Sequence, residues 1–404
     1  MNKKISLGLA IAIAALVAAV AVIFTYNYAL ERFNSMISSV SDKEENYTRI
    51  SELDTFVRAS YIGLMDERLL LDSILEGYTA GIGDKYAEYF TAAETQAMST
   101  NDTGYTVGLG ISYEPDGSGY ILITDVTTDS DAETLGLQTG DIITAVNNTD
   151  VIHFSAGYEE ATALMKGDEG TKVKLYVKRT AEDGVAEYFD VELEAKRFEI
   201  VTVFTSVFDT VGYIKITAFN DRTDDELSEA IDSVISEGAE SLIFDIRDNP
   251  GGSIATLEGA LDRILGAGDI VTAYYKDSET VVVKTTEAEV INMPMAVLMN
   301  ERTTGTAELF ASALKDNAGA QLVGVTTAGK GMLQETHKLG SGGSIRLSVA
   351  YLKTSSKRDF DRIGIKPDFE VKLPEGVVLS DINEAARLTQ DTQLVKAIEV
   401  AGTF

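Results

Sequence analysis

The architecture of the chain can be inferred outward from residues 241–252, which read SLIFDIRDNPGG. Ser241 to Ile246 is a mostly apolar run of the kind that forms a strand buried on both faces of a sheet. The Asn-Pro-Gly-Gly that follows is a turn. Apolar runs and helical patterns continue to alternate along the chain, at 224–237, 295–299, 307–315 and 321–325. Strands separated by helices predict a parallel sheet and an α/β core, which we place at residues 199–374.

The residues on either side of this core differ in character. Residues 27–100 read as mainly helical, because apolar residues recur at three- and four-residue spacing. Residues 101–198 read as short strands separated by glycine turns. Residues 375–404 include a short amphipathic helix. We therefore expect a β-rich domain inserted ahead of the α/β core, with helical segments at both ends.

Composition narrows both the chemistry and the partners. The chain has 404 residues, 45% of them hydrophobic, which is enough for two or three globular domains. Its net charge of −30 repels nucleic acid, so we expect no nucleic-acid partner. There is no cysteine, and the only histidines are His153 and His337. Disulfides and thiol catalysis are excluded, and we predict no metal, no cofactor, and a base other than histidine for any hydrolysis.

The first residues predict a membrane anchor. Lys3 and Lys4 precede an uncharged stretch from Ile5 to Phe24, which as a helix spans about 30 Å and can cross a bilayer. The two lysines place the N-terminus in the cytoplasm. We expect residues 1–26 to cross the cell membrane once and the rest of the chain to lie on the extracytoplasmic side. A cleaved signal with its cleavage site at residues 19–21 is the alternative.

Several segments, in the same order, resemble the C-terminal processing (tail-specific) peptidase family. They are GDKYAEYF at 83–90, a PDZ-like region at 108–179, FDIRDNPGG at 244–252, GKGMLQ at 329–334 and GIKPD at 364–368. The resemblance implies a crotonase/ClpP-like peptidase core with an inserted PDZ domain. It also implies a serine endopeptidase of the bacterial cell envelope that uses a Ser-Lys dyad on protein C-terminal tails. Family members often pair through their terminal helices, so a homodimer is a further expectation.

The resemblance assigns a base and an oxyanion hole to this chain. Lys330 corresponds to the catalytic lysine, which can accept a proton only where burial keeps it neutral. Gln334 is expected to hold the Lys330 side chain through its amide oxygen. The glycine turn at Gly251 and Gly252, together with Thr306, corresponds to the oxyanion hole, where backbone N–H groups stabilise developing negative charge.

The family's nucleophile is missing from its expected position. The family pattern places the serine where this chain has Gly305, within NERTTGTAE at 300–308. Glycine has no side chain with which to attack a peptide bond. Three explanations remain open: a natural pseudopeptidase, a relocated nucleophile at Thr304 or Thr306, and a deliberate inactivating substitution.

The PDZ-like region predicts a site that captures the end of another chain. Such a module adds a peptide as a strand at its sheet edge and binds the terminal carboxylate through backbone N–H groups. The predicted carboxylate loop consists of Gly108, Leu109, Gly110 and Ile111, and the predicted pocket helix presents Leu164 and Met165. The sequence therefore supports two functions: an endopeptidase, which Lys330 favours, and a non-catalytic binder of C-terminal tails, which Gly305 favours.

Overall fold

The computed structural model describes residues 47–181, 184–285, 291–340, 342–382 and 387–402. The predicted membrane segment at 1–26 lies outside these residues, as does the first part of the predicted helical region. Within the described ranges, no helix combines the length and the apolar character needed to cross a membrane. The described residues fall into two compact units, which divide between Leu71 and Asp72.

The described part of the first unit has no core of its own. Residues 47–60 are helical (α1), and the next helix, α2 (Glu67–Gly81), begins in this unit. Arg58 donates hydrogen bonds to Asp54 and Glu67, which links the two helices. None of the described residues 47–71 is buried. The large apolar side chains exposed here are Tyr47, Ile50, Leu53, Phe56, Tyr61, Ile62, Leu64, Leu69 and Leu71.

The second unit contains the remaining elements. Its further helices are α3 (Ala92–Asp102), α4 (Asp131–Thr134), α5 (Tyr158–Met165), α6 (Thr223–Ser236), α7 (Thr256–Asp262), α8 (Thr306–Ala318), α9 (Arg387–Gln390) and α10 (Thr392–Ala401). Its first strands are β1 (Glu88–Phe90), β2 (Tyr105–Gly108), β3 (Ile111–Pro115), β4 (Ile121–Val126), β5 (Ile142–Val146), β6 (Thr149–Asp150), β7 (Lys172–Thr180), β8 (Ala186–Glu194) and β9 (Lys196–Glu199). The later strands are β10 (Val203–Phe208), β11 (Val211–Ile216), β12 (Ser241–Asp245), β13 (Gly268–Tyr275), β14 (Glu279–Thr285), β15 (Met295–Met299), β16 (Gln321–Gly324), β17 (Met332–Lys338), β18 (Ser344–Lys353) and β19 (Phe369–Glu370).

The central sheet confirms the predicted α/β core. Its strand order is β10-β11-β12-β15-β16-β19, and all neighbours are parallel except β10 and β11. Every residue of β12 and β15 is buried, because helices cover both faces of the sheet. Helices α6, α7 and α8 share one core cluster with Phe244, and α10 packs with Ile243 on the opposite face. The C-terminal helix therefore buries its apolar face within its own chain.

A second sheet corrects one part of the sequence analysis. Its order is β1-β18-β13-β14, with β17 also paired to β18. Strand β1 falls inside the region predicted as helical, residues 27–100. It forms because Tyr89 and Phe90 are largely buried and because the strand pairs antiparallel with β18. Three residues are too few to show an alternating pattern, so the strand could not be recognised from spacing.

The predicted β-rich insertion has its own hydrophobic core. Strands β3-β4-β5-β7-β8 form its sheet, β6 pairs with β5, and α5 packs against the core. The antiparallel pair of β2 and β9 lies where the chain enters and leaves the insertion. Strand β3 is at one edge of the sheet and therefore has one side without a partner strand.

Candidate active site

Three turns meet at the carboxyl ends of β12, β15 and β16. They carry residues 246–252, 300–306 and 325–331. The Thr304 amide donates to the Asn249 carbonyl at 3.0 Å, and the Ala328 amide donates to the Thr303 carbonyl at 3.1 Å. Ligands of α/β sheets commonly bind beyond the carboxyl ends of the strands. The structure thus brings most of the predicted catalytic residues to the edge where a site is expected.

Gly305 faces the predicted base. It precedes the first turn of α8 with φ 58° and ψ −115°, a conformation that residues with side chains rarely adopt. A Cβ atom added at this position would lie 3.9 Å from Cδ of Lys330, which is ordinary van der Waals contact. A side chain at position 305 would therefore be directed towards Lys330, with room to fit.

Lys330 lies in an environment that favours its neutral form. The side chain is half-buried, and its Nζ lies 5.4 Å from the centroid of the Tyr86 ring. Burial lowers the pKa of Lys330, and the positive charge of Arg346 lowers it further, whereas Glu88 and Glu308 act in the opposite direction. In the described part of the chain, Nζ has neither a hydrogen-bond nor an ion-pair partner. These are properties of a lysine that can accept a proton.

The structure does not show the predicted contact between Gln334 and Lys330. Gln334 instead donates from Nε2 to the carbonyl of Tyr86 at 3.2 Å. Gln334 lies on strand β17, and an extended chain advances about 3.3 Å per residue, which carries it away from the lysine turn. Gln334 therefore holds the segment whose Tyr86 ring lies beside Lys330.

The predicted oxyanion hole is only partly available as free amides in the described residues. The Gly251 amide donates to Asn249 Oδ1 at 2.8 Å, so it is already engaged. Among the described residues, the amides of Gly252 and Thr306 have no acceptor. A Cβ at Gly252 would lie 2.0 Å from the Phe219 carbonyl oxygen, so only glycine fits there. The oxyanion donors that remain of the predicted set are Gly252 and Thr306.

The hydroxyls of Thr304 and Thr306 are directed to the glycine turn. Thr304 Oγ1 donates to the Pro250 carbonyl at 2.6 Å, and Thr306 Oγ1 donates to the Gly252 carbonyl at 2.9 Å. Neither hydroxyl bonds to Lys330 within the described residues. Both threonine hydroxyls therefore stabilise the glycine turn and are not directed at Lys330.

Glu308 is a site residue that the sequence analysis did not identify as functional. It is 0% exposed and accepts hydrogen bonds from the amides of Gly305, Gly329 and Lys330 and from the hydroxyl of Thr327. The available signal was its place three residues after Gly305, where a capping-box glutamate stands in a helix.

Comparison with known families gives this arrangement its context. Residues 210–371 match the model of Peptidase family S41, and residues 122–179 match that of the PDZ domain. The chain contains an S41 peptidase domain and a PDZ domain. The S41 match contains all three turns of the site, and the PDZ match lies within the inserted β-rich domain.

Curated relatives align over most of the chain. It is 28% identical to the carboxy-terminal processing protease CtpA of Bacillus subtilis over 380 residues, which are 93% of this chain and 79% of that protein. It is 26% identical to a probable CtpA-like serine protease of Staphylococcus haemolyticus, over 89% of this chain and 72% of that protein. A crystal structure of a putative S41 protease from Bacteroides fragilis aligns with a TM-score of 0.48 at 17% identity, over 81% of this chain and 89% of that one.

The structure corrects one of the predicted peptide-binding residues. Met165 was expected to present its side chain to the ligand, but it is 1% exposed and belongs to the domain core. The Leu109 side chain is also in this core, at 4% exposed, which is compatible with a loop that binds through its backbone N–H groups. An inward-facing residue of a strand or helix has the same sequence pattern whether it fills a core or lines a pocket. Leu164, in contrast, is 42% exposed and remains available to a ligand.

The predicted carboxylate loop, residues 108–111, precedes the open sheet edge. Gly108 ends β2, Gly110 has φ 74°, and Ile111 begins β3. Tyr113 on β3 was not predicted as a site residue. Burial raises its pKa to about 12, and Tyr158 at the start of α5 contributes to the rise. These two tyrosines thus bring β3 and α5 close together.

Arg346→Gln is expected to raise the pKa of Lys330. Removing the guanidinium removes a positive charge that disfavours the ammonium form. It also frees Glu88, whose ion pair with Arg346 measures 3.9 Å, to favour the ammonium. The measurement is an NMR titration of the chain with ¹³C-methylated lysines, with Lys330→Arg to assign the signal. Arg302→Gln, which removes an exposed arginine paired with Asp248, is the matched control and leaves the titration unchanged. An unchanged Lys330 titration in Arg346→Gln would contradict the electrostatic account.

Proposed function

We propose that this chain is a pseudopeptidase of the cell envelope that binds protein C-terminal tails without cutting them. The observation that carries the proposal is Gly305. Its backbone directs the Cβ position at Lys330, and the amides of Gly252 and Thr306 find no acceptor among the described residues, yet position 305 has no nucleophile. The site therefore keeps a base and oxyanion donors but lacks the atom that would attack the substrate.

The hydrogen bonds of the neighbouring threonines argue against a relocated nucleophile. A serine or threonine attacks only when a base within hydrogen-bond reach removes its proton. Thr304 and Thr306 donate to Pro250 and Gly252 instead. Redirecting either hydroxyl would break that bond and move the turn, and a misplacement of about 1 Å can cost roughly a hundredfold in rate.

The PDZ domain supplies the binding function of the proposal. The open edge of β3 accepts a peptide as an added strand, and the loop at 108–111 holds the terminal carboxylate. Leu164 contacts the last side chain of the peptide. The relatives named as processing proteases suggest that the ligands are C-terminal tails, which this chain retains rather than trims.

Location and assembly complete the proposal. Residues 1–26 anchor the chain in the membrane with its bulk on the extracytoplasmic side, on the strength of their apolar length and the preceding lysines. The apolar side chains exposed in residues 47–71 form a surface that a second copy of the chain covers.

The proposal is tested by binding fluorescent peptides with apolar last residues to the full chain. Each peptide is compared as the free acid and as the C-terminal amide. Because hydrogen bonds to a charged group contribute about 1.5–3 kcal/mol, the amide is expected to bind roughly tenfold or more weakly. Mass spectrometry of the peptide after incubation is expected to show it uncut.

Two matched variants locate the binding site. Leu164→Glu places a charge beside the expected terminal pocket and weakens binding. Tyr188→Glu places the same charge on β8, at the sheet edge opposite β3, and leaves binding intact. Equal binding of acid and amide would refute the capture of chain ends. Cleavage that Lys330→Ala abolishes would refute the pseudopeptidase assignment.

A further inference from the structure

Glu308 joins the two halves of the candidate dyad through one buried carboxylate. Its Oε2 accepts from the Gly305 amide at 2.9 Å and from the Lys330 amide at 2.8 Å. Its Oε1 accepts from the Gly329 amide at 2.7 Å and from the Thr327 hydroxyl. The same carboxylate oxygen therefore binds the backbone amides of residues 305 and 330. The distance between these two amide nitrogens cannot exceed the sum of the two hydrogen-bond lengths.

The hydrogen bonds also favour the ionised form of Glu308. Three of the four partners are backbone amides, which can only donate, and the fourth is the Thr327 hydroxyl, which donates in this arrangement. Burial raises the pKa of Glu308, and the bonds from Thr327, Lys330, Gly329 and Gly305 oppose that rise. Burial is the larger effect, so the pKa of Glu308 stays above its ordinary value, and it is the geometry of the four contacts that identifies what the side chain does.

Glu308 acts on the backbone around Lys330 and not on the amine. Within the described residues, its carboxylate makes no ion pair with Nζ of Lys330. The remaining direct bond between the two turns, from the Ala328 amide to the Thr303 carbonyl, lies two residues before each dyad position. The Glu308 carboxylate is thus the contact that reaches residues 305 and 330 themselves.

We propose that Glu308 is a positioning residue that sets the geometry between position 305 and Lys330 by binding both backbone amides. The inference rests on the proposed function in taking these two positions as the remains of a catalytic dyad. It goes further because it attributes the relative position of residue 305 and Lys330 to a single side chain, that of Glu308. Loss of that carboxylate releases the lysine turn from the start of α8, and the base no longer faces position 305.

A single introduced thiol can report this geometry without any catalytic activity. The chain has no cysteine, so Gly305→Cys creates a unique reactive group at a position with room for a Cβ. A nearby lysine and a helix N-terminus both lower a thiol pKa, and the pKa is read from the pH dependence of alkylation. Lys330→Met in this variant is expected to raise the thiol pKa by about one unit, since a thiolate at position 305 favours the ammonium form of the facing amine and the substitution removes that stabilisation.

The inference is tested by repeating that comparison in the Glu308→Gln background of the full chain. If Glu308 positions the two residues, Lys330→Met now changes the thiol pKa by less than about 0.3 unit. The other charged and titratable groups near Lys330, namely Arg346, Glu88 and Tyr86, are the same in every variant and cancel in the comparison. Glu301→Gln removes an exposed carboxylate from the same turn and is expected to leave the full effect of Lys330→Met.

Each outcome separates the inference from the proposed function. An undiminished effect of Lys330→Met with Glu308→Gln would overturn the positioning role and leave the proposed function standing. No effect of Lys330→Met in the chain that retains Glu308 would show that Lys330 does not face position 305, which overturns the inference, whereas tail binding by the chain is tested separately with the peptides. If Glu308→Gln does not fold, Glu308→Asp keeps the charge but withdraws it by one methylene. A full lysine effect in Glu308→Asp would likewise overturn the inference, and a reduced one supports it.

Discussion

Replacing Gly305 with serine is expected to give the chain peptidase activity about a thousandfold or more above that of the unaltered protein. Removing the nucleophile from a serine protease that uses a histidine base costs about a millionfold in kcat, so restoring a serine has a large effect even when the geometry is imperfect. The Cβ of the new residue meets Lys330 at van der Waals distance and nothing closer. Casein, an unfolded protein, is the substrate, and fragments are quantified by mass spectrometry.

The new serine has a conformational cost that its control shares. The φ of 58° and ψ of −115° at position 305 cost a residue with a side chain roughly 1–3 kcal/mol. Gly305→Ala has the same strain without the hydroxyl, so its melting temperature falls by a similar amount while it stays inactive. Strain at this turn therefore cannot be mistaken for the chemical effect.

Three further variants decide between the explanations for Gly305. Gly305→Ser combined with Lys330→Ala is expected to be inactive, because the hydroxyl then has no base. If the unaltered chain does not cleave casein, Thr306→Val and Thr304→Val made in that chain are also inactive. Cleavage by the unaltered chain that disappears in one of these valine variants would instead identify a relocated nucleophile. If Gly305→Ser folds and binds tails but does not cleave, the site has lost more of its catalytic geometry than the nucleophile alone.

The sequence predicted the elements of the site better than the contacts between them. Strands such as β12 and β15 are apolar throughout, so their burial could be inferred directly from composition. Lys330 and Gly305 were found by resemblance, because the turns that carry them keep short local motifs. The Glu308 contacts could not be found in this way, since the Lys330 turn reaches Glu308 only when β15 and β16 pair in the fold.

Residues whose role depends on orientation were predicted less well. Met165 has the apolar character of a pocket residue, but the fold turns it into the PDZ core. Gln334 has a side chain able to reach a lysine, but strand β17 carries it to Tyr86. In each case the residue type was compatible with the predicted role, and the direction of the backbone excluded it.

Arg247 is the residue whose loss is expected to destabilise the core most. Its guanidinium bonds to Asp245 at 2.6 Å and to Asp391 at 2.7 Å, and these side chains are between 2% and 4% exposed. Asp391 also caps α10 by accepting from the Leu394 amide at 2.9 Å. The network therefore ties the strand that leads to the glycine turn to the helix that covers the far face of the sheet.

Arg247→Met is expected to lower the free energy of unfolding by about 3–5 kcal/mol at neutral pH, because it leaves two buried carboxylates without a counter-charge. The matched control is Arg302→Met. Arg302 pairs with Asp248 at 2.7 Å, the same distance as the Arg247–Asp391 pair, but the two side chains are 63% and 36% exposed. An exposed pair contributes about 0–1 kcal/mol, so the control loses little. Urea unfolding followed by circular dichroism measures both, since the chain has no tryptophan.

The destabilisation by Arg247→Met should shrink as the pH falls. Burial alone would raise the pKa of Asp245, but the charge and hydrogen bonds of Arg247 outweigh it and hold that pKa below its ordinary value of 3.8. A carboxyl whose folded pKa is lowered stabilises the fold above its unfolded pKa and loses that contribution below it. In the Met variant the unpaired carboxyls are free to protonate and relieve their repulsion. The difference in free energy of unfolding between the unaltered chain and Arg247→Met is therefore largest at neutral pH and decreases towards pH 4. A difference that is constant with pH would show that Arg247 stabilises the fold by packing alone.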